Sequence, residues 1–184
     1  MSTDPCTDWT GVLCNSNLTA VKKIVLDSML LPGTLDAVSL CAAKSLRVLS
    51  LNNNTITGEM PQEMGNSTQL THLYLSGNKL IGSLPNSLSN LNNLKKLDIS
   101  NNYFSGALPD FTRISGLVSF LVQNNSFTGK IPQFDFENLQ SFNVSFNYFT
   151  GPIPVLKGRF SVDSFLGNPG LCGYPLPNKC PPSK

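Results

Sequence analysis

The sequence predicts a right-handed α/β solenoid: a parallel concave sheet of about six short strands, a convex side of turns and 3₁₀ helices, and cysteine-bearing caps. Three observations carry that reading. A block of 22 to 25 residues recurs six times, Gly and Pro recur with it, and four of the five cysteines stand in two pairs outside it. The 184 residues include 27 Leu and 20 Asn, yet only 13% are charged, about half the usual share. Charge that scarce excludes a coiled coil, and 13 Pro with 14 Gly would interrupt long helices. A formal net charge of +2 lacks the basic surplus of a nucleic-acid-binding domain. No run of about 18 apolar residues exists, so no membrane-spanning helix is predicted. No charged-then-apolar leader precedes Asp4, so a secretory signal is expected to be processed or to lie outside this sequence.

The blocks begin at Val21, Leu46, Leu70, Leu94, Leu117 and Leu139. The second reads LRVLSLNNNTITGEMP, the fourth LKKLDISNNYFSGALP and the sixth LQSFNVSFNYFTGPIP. Apolar side chains recur at positions one, four and six, as in Leu70, Leu73 and Leu75. Alternation over positions four to six puts them on one face of a short strand. One such unit cannot bury that face alone, but stacked neighbours form a continuous core. Position nine is Asn54, Asn78, Asn102, Asn125 and Asn147, while the first block has Met29 at the corresponding place. A buried turn needs partners for its N–H and C=O groups, and an amide side chain offers both donors and an acceptor. These five are therefore expected to be structural. Gly58, Gly82, Gly106, Gly129 and Gly151 permit a bend after each strand. Pro61, Pro85, Pro109, Pro132 and Pro154 then fix an extended or turn conformation. The expected division is a cap over 1–20, six repeats over 21–154 and a second cap over 155–184.

Both ends of a solenoid expose apolar cross-sections and need caps. DPCTDWTGVLC precedes the repeats with Cys6 and Cys14, and SFLGNPGLCGYPLPNKC follows them with Cys172 and Cys180. Pairing within each cap is the economical reading, though spacing alone leaves connectivity open. Two disulfides would place the chain in an oxidising, extracellular compartment. A zinc site is the competing reading, but the pairs lie at opposite ends and only one His is available; no metal or other cofactor is predicted. Cys41, in the convex segment of the first repeat, reads as a buried free thiol acting as a small hydrophobe.

The motif D-P-C-x-x-W-x-G-V-x-C, the LxxLxLxxNxLxGxIP repeats and the ending F-L-G-N-P-G-L-C-G-x-P-L together resemble plant leucine-rich-repeat receptor-like kinases. The resemblance covers nearly the whole chain, and the short array looks like the subgroup holding pollen receptor-like kinases and co-receptor kinases. It implies an extracellular domain recognising a secreted peptide, a small protein or a second receptor ectodomain, in a full-length protein anchored in the plasma membrane. CPPSK resembles the start of a juxtamembrane linker. Kinase activity is implied only for the full-length protein; this chain offers no triad around its single His, and enzymatic function is not predicted. Cell-wall hydrolase inhibitors of the polygalacturonase-inhibitor type share the repeat motif and are the alternative.

Candidate binding residues are those projecting from the concave strands. Position three gives Lys23, Val48, His72, Lys96, Ser119 and Ser141; position five gives Val25, Ser50, Tyr74, Asp98, Leu121 and Asn143. Position seven gives Asp27, Asn52, Ser76, Ser100, Gln123 and Ser145, and position two adds Lys22, Arg47 and Lys95. The first four repeats thus carry a basic band, whereas the last two expose Val118, Leu121 and Phe146. Such a face suits an acidic segment or the flank of another ectodomain, with Lys23, Arg47, His72, Lys96 and Asp98 steering and Tyr74, Leu121 and Phe146 as anchors. The plainer reading is that the Lys and Arg only solubilise the surface. His72 is a candidate pH-sensitive group. Asn17, Asn53, Asn66, Asn124 and Asn143 begin glycosylation sequons. A glycan at Asn143 would obstruct the concave face in the sixth repeat.

Overall fold

The structure, a computed structural model, describes residues 4–182; the last two residues of the CPPSK segment lie outside that range. Short strands succeed one another along the chain: β1 (Val12–Cys14), β2 (Val21–Val25), β3 (Val48–Ser50), β4 (Thr57–Glu59), β5 (His72–Tyr74), β6 (Lys79–Ser83) and β7 (Lys96–Asp98). They continue with β8 (Tyr103–Ala107), β9 (Ser119–Leu121), β10 (Ser126–Gly129), β11 (Ser141–Asn143), β12 (Tyr148–Pro152) and β13 (Gly170–Cys172). The concave sheet has the order β1-β2-β3-β5-β7-β9-β11. Its six repeat strands run parallel, and β1 is added antiparallel to β2.

The register is the one the repeat dictates. Leu49, Leu73, Leu97, Phe120 and Phe142 lie side by side at position four, each with at most 4% of its surface exposed. A fully buried side chain of this size contributes about 1.5–3 kcal/mol, so the column is the spine of the core.

The asparagine ladder forms as the sequence requires and gains a rung at Asn168. In each rung the amide Nδ2 donates to carbonyls of its own turn and of the preceding repeat, while Oδ1 accepts from the preceding repeat's backbone. Asn102, for instance, donates to Leu75, Ile99 and Ser100 oxygens and accepts from Leu80 N at 3.1 Å. Asn168 repeats the pattern with Val144, Phe165 and Leu166 oxygens and Phe149 N.

The segment after each rung is more regular than the bend the sequence suggested. Residues there pair into a second parallel sheet, ordered β13-β12-β10-β8-β6-β4. The repeat glycines in it, Gly58, Gly82, Gly106, Gly129 and Gly151, have positive φ: Gly82 lies at +76°, where a Cβ would come within 2.9 Å of Glu59 Cγ. An L-residue is disfavoured on both counts. Pro61 and Pro85 then end the strands and lead into 3₁₀ helices at Gln62–Asn66 and Asn86–Asn90. The convex side also holds one α-helix, α1 (Ala37–Ala42), whose N-cap Asp36 accepts from Ser39 N. Cys41 sits in it, buried and unpaired, its sulfur 3.0 Å from Glu63 O and 2.8 Å from Ser67 Oγ.

Cys6 pairs with Cys14 and Cys172 with Cys180, at Cα separations of 5.5 and 4.9 Å. The carboxy-terminal cap covers its end of the core, with Phe165 and Leu171 almost fully buried. At the other end an apolar cleft of about 340 Å³ lies between Trp9, Val12, Ile24, Leu35 and Leu40, and Trp9 is half exposed.

Candidate functional site

Parallel pairing brings the predicted concave residues into straight columns. Lys23 pairs with Val48, Val48 with His72 and His72 with Lys96; Val25, Ser50, Tyr74, Asp98, Leu121 and Asn143 form the adjacent column. Arg47 N donates to Lys22 O, Thr71 N to Arg47 O and Lys95 N to Thr71 O. Lys22, Arg47, Thr71 and Lys95 therefore stack along the leading edge of the sheet, where the chain comes into each strand. Strands lie about 4.8 Å apart, so Lys23 to Lys96, three strands on, spans ~14 Å.

His72 is half-buried in this group. Thr71 Oγ1 lies 2.8 Å from its Nδ1, and its ring centroid is 5.9 Å from that of Tyr74. Burial, and after it the charges of Lys96, Lys95 and Lys23, lowers its pKa below the usual 6.5. Burial, with the charge of Asp98 behind it, raises the pKa of Tyr74. Both shifts favour the uncharged forms, the imidazole of His72 and the phenol of Tyr74.

The trailing side of the same sheet differs from the sequence expectation. Ser50, Ser100 and Ser145 are not offered to a partner but buried. Asp27 Oδ1 accepts Ser50 Oγ at 2.7 Å and Asn52 N at 2.8 Å. Asp98 Oδ1 accepts Ser100 Oγ at 2.7 Å and Ser100 N at 3.1 Å, and Ser100 Oγ meets Ser76 Oγ at 2.8 Å. This hydroxyl–carboxylate network was invisible in the sequence because a small polar residue reads alike whether solvated or internally satisfied.

Phe146 is the other correction. It is not on a concave strand, since β11 ends at Asn143; it occupies the following turn with φ of +53°. Its equivalents Asn53, Gly77, Asn101 and Asn124 share that left-handed conformation, which Asn and Gly adopt readily and which is strained for a bulky aromatic. The ring lies 57% exposed beside Tyr148 on the flank, bordering a groove of about 250 Å³ that runs to Pro169. Tyr103 is exposed two repeats away. Leu121 and Val118 remain half-buried on the face.

Of the sequons, Asn17, Asn53, Asn66 and Asn124 are exposed. Asn143 is half-buried in β11, its Oδ1 accepting Ser145 N at 2.9 Å.

A face of this kind, a shallow curved sheet of projecting side chains above a repeat core, defines a binding surface of the leucine-rich-repeat class. Models of the leucine-rich repeat match residues 19–80, 44–104 and 138–158. Pollen receptor-like kinase 2 of Arabidopsis thaliana is 36% identical over 181 residues, 96% of this chain and 27% of that protein. The crystal structure of a Pollen Receptor Kinase 3 superposes with a TM-score of 0.86 at 32% identity, covering 97% of this chain and 88% of that one. The BIR3–SERK2 complex from Arabidopsis thaliana matches with a TM-score of 0.68 at 32% identity, covering 97% and 84%. The chain belongs to the leucine-rich-repeat receptor-like kinases of plants, and it spans about a quarter of the length of the pollen relative.

Proposed function

We propose that this chain is the extracellular recognition region of a plant receptor-like kinase, binding a secreted peptide, a small protein or a second receptor ectodomain. The observation that carries this is the near-complete superposition on a pollen receptor kinase ectodomain. A neighbour of the same fold, solved as a complex of two receptor proteins, supports an ectodomain partner. Binding falls to the concave columns through Lys23, Arg47, His72, Tyr74, Lys96 and Leu121, with Asp98 supporting and Phe146 serving the flank. Residues 1–20 and 155–184 act as caps on repeats 21–154, and no described helix is long and apolar enough to cross a membrane; anchorage belongs to the full-length protein. Exposed sequons at Asn17, Asn53, Asn66 and Asn124 carry glycans, and glycopeptide mass spectrometry reads their occupancy along with that of Asn143. Affinity capture from native tissue with this chain as bait is the functional test. Recovery of receptor ectodomains or secreted peptides is expected, and recovery of cell-wall hydrolases alone would overturn the reading.

A further inference from the structure

The leading edge of the first four strands concentrates cations that, among the described residues, form no ion pair. Lys22, Lys23, Arg47, Lys95 and Lys96 lie within two adjacent columns. The whole chain carries +2, so taking these five cations away leaves the remainder at −3. Among the described residues the ion pair present is Lys157–Glu137, at the far end; none of the five has a carboxylate in range. The nearest acids on the face, Asp27 and Asp98, are engaged by the Ser50, Asn52 and Ser100 donors. Five cations against two carboxylates on the same face leave it net positive, and such a band is complementary to an external anion.

We propose that the leading edge of repeats one to four docks an acidic polypeptide segment of a partner, its carboxylates lying across Lys23, Arg47 and Lys96. The inference deepens the receptor reading and rests on it. The band favours a polypeptide over a uronic-acid polymer because it stops after ~14 Å, three strand spacings. Beyond Lys96 and Lys95 the columns continue as Ser119, Ser141, Val118 and Gln140, which offer a longer polyanion no cation.

The test uses the chain secreted from glycosylating cells. It is probed with extended peptides carrying alternating Asp and Glu, with the same peptides carrying Asn and Gln, and with oligogalacturonate. The acidic peptides are expected to bind, and their amide counterparts about tenfold or more weaker, with affinity falling as salt rises. Lys23→Glu, Arg47→Glu and Lys96→Glu together should weaken the acidic peptides by a similar factor. Val48→Asn offers a sharper probe, since Leu49 and Ser50 already complete a sequon. It plants a sugar between Lys23 and His72 and should abolish binding, while Val48→Gln preserves it. Equal binding of acid and amide peptides, no binding of either, preference for oligogalacturonate, or indifference to the charge reversal would each overturn the proposal. If bait capture still recovers receptor ectodomains with the charge-reversed chain, only this inference falls and the receptor reading stands.

Discussion

In the second and third repeats the centre of the core is Leu49 and Leu73, with five-residue 3₁₀ helices behind them on the convex side. In the fifth and sixth it is Phe120 and Phe142, and the convex segments packed there are thinner: Phe111–Arg113, closing the fourth repeat, has three helical residues and 131–138, in the fifth, has none. The spacing of block starts follows, from 24 residues between Leu46 and Leu70 to 22 between Leu117 and Leu139. Phe134 and Phe136 reach in from the shortened segment and lie 4.7 Å and 5.4 Å, centroid to centroid, from Phe120 and Phe142 respectively. A shorter repeat brings less backbone to its convex side, and aromatic volume replaces the missing helix. The two halves also divide the concave face, with unpaired cations over the amino-terminal strands and Ser119, Leu121, Ser141 and Asn143 over the aromatic ones.

The largest expected effect would break that division of labour. Phe120→Ala should cost about 3–5 kcal/mol, whereas Leu73→Ala falls in the range of about 2–5 kcal/mol and should lie toward its lower part. Phe120 touches Phe111, Phe134 and Phe142, so its removal leaves a cavity walled by rings with little backbone to collapse into it. Denaturant unfolding with both variants checks the order. A costlier Leu73→Ala would show that the 3₁₀ helices, and not the rings, hold the stiffer core.

Asn102→Ala comes next, at about 2–3 kcal/mol, because it strands Leu80 N and takes one of two donors from each of the Leu75, Ile99 and Ser100 oxygens. The ladder runs unchanged through both halves, so Asn147→Ala in the aromatic half should cost the same within the error of the measurement. A marked difference would mean that the core behind a rung sets its strength.

How much of this was readable in the sequence differs with the kind of constraint. The concave columns follow from period-two alternation fixed in place by the repeat, so pairs such as His72 with Lys96 and Asp98 with Leu121 could be written down in advance. Phe146 could not be placed, because counting positions does not show where a strand ends. Asn143 turns back to accept Ser145 N, and the chain leaves the sheet before Phe146. The second sheet was hidden for a related reason: its strands are short, carry a positive-φ Gly and show no clean alternation. Asn168 was missed as a rung because the closing cap abandons the leucine spacing that marks the other five.

The caps separate the ends. Each disulfide closes a loop of sequence separation 8, worth ~2.5 kcal/mol in the chain-entropy model. Cys172→Ser with Cys180→Ser should approach that loss, because the segment it holds covers Leu171. Cys6→Ser with Cys14→Ser should show less global loss but faster amide exchange in β2, whose residues are all half-buried. Equal protection of β2 and β11 in that variant would mean the amino-terminal half is not the softer one.

The smallest effect tests the surface side of the comparison. His72 is the single histidine of the chain, so its imidazole signal in an NMR titration is unambiguous. Burial comes first and Lys96, Lys95 and Lys23 follow in holding its pKa below 6.5. The unfolded chain therefore takes up a proton at a higher pH than the folded one. Stability should be complete above pH 6.5 and decline as pH falls from there through the lower folded value. Lys96→Gln should move the folded pKa part of the way back, and not fully, because burial remains. An acidic peptide seated across Lys23 and Lys96 should raise it, since the bound carboxylates oppose the lysine charges. A titration unmoved by Lys96→Gln, Lys95→Gln and Lys23→Gln together would leave burial as the sole cause and remove the basic band's field from the account of this site.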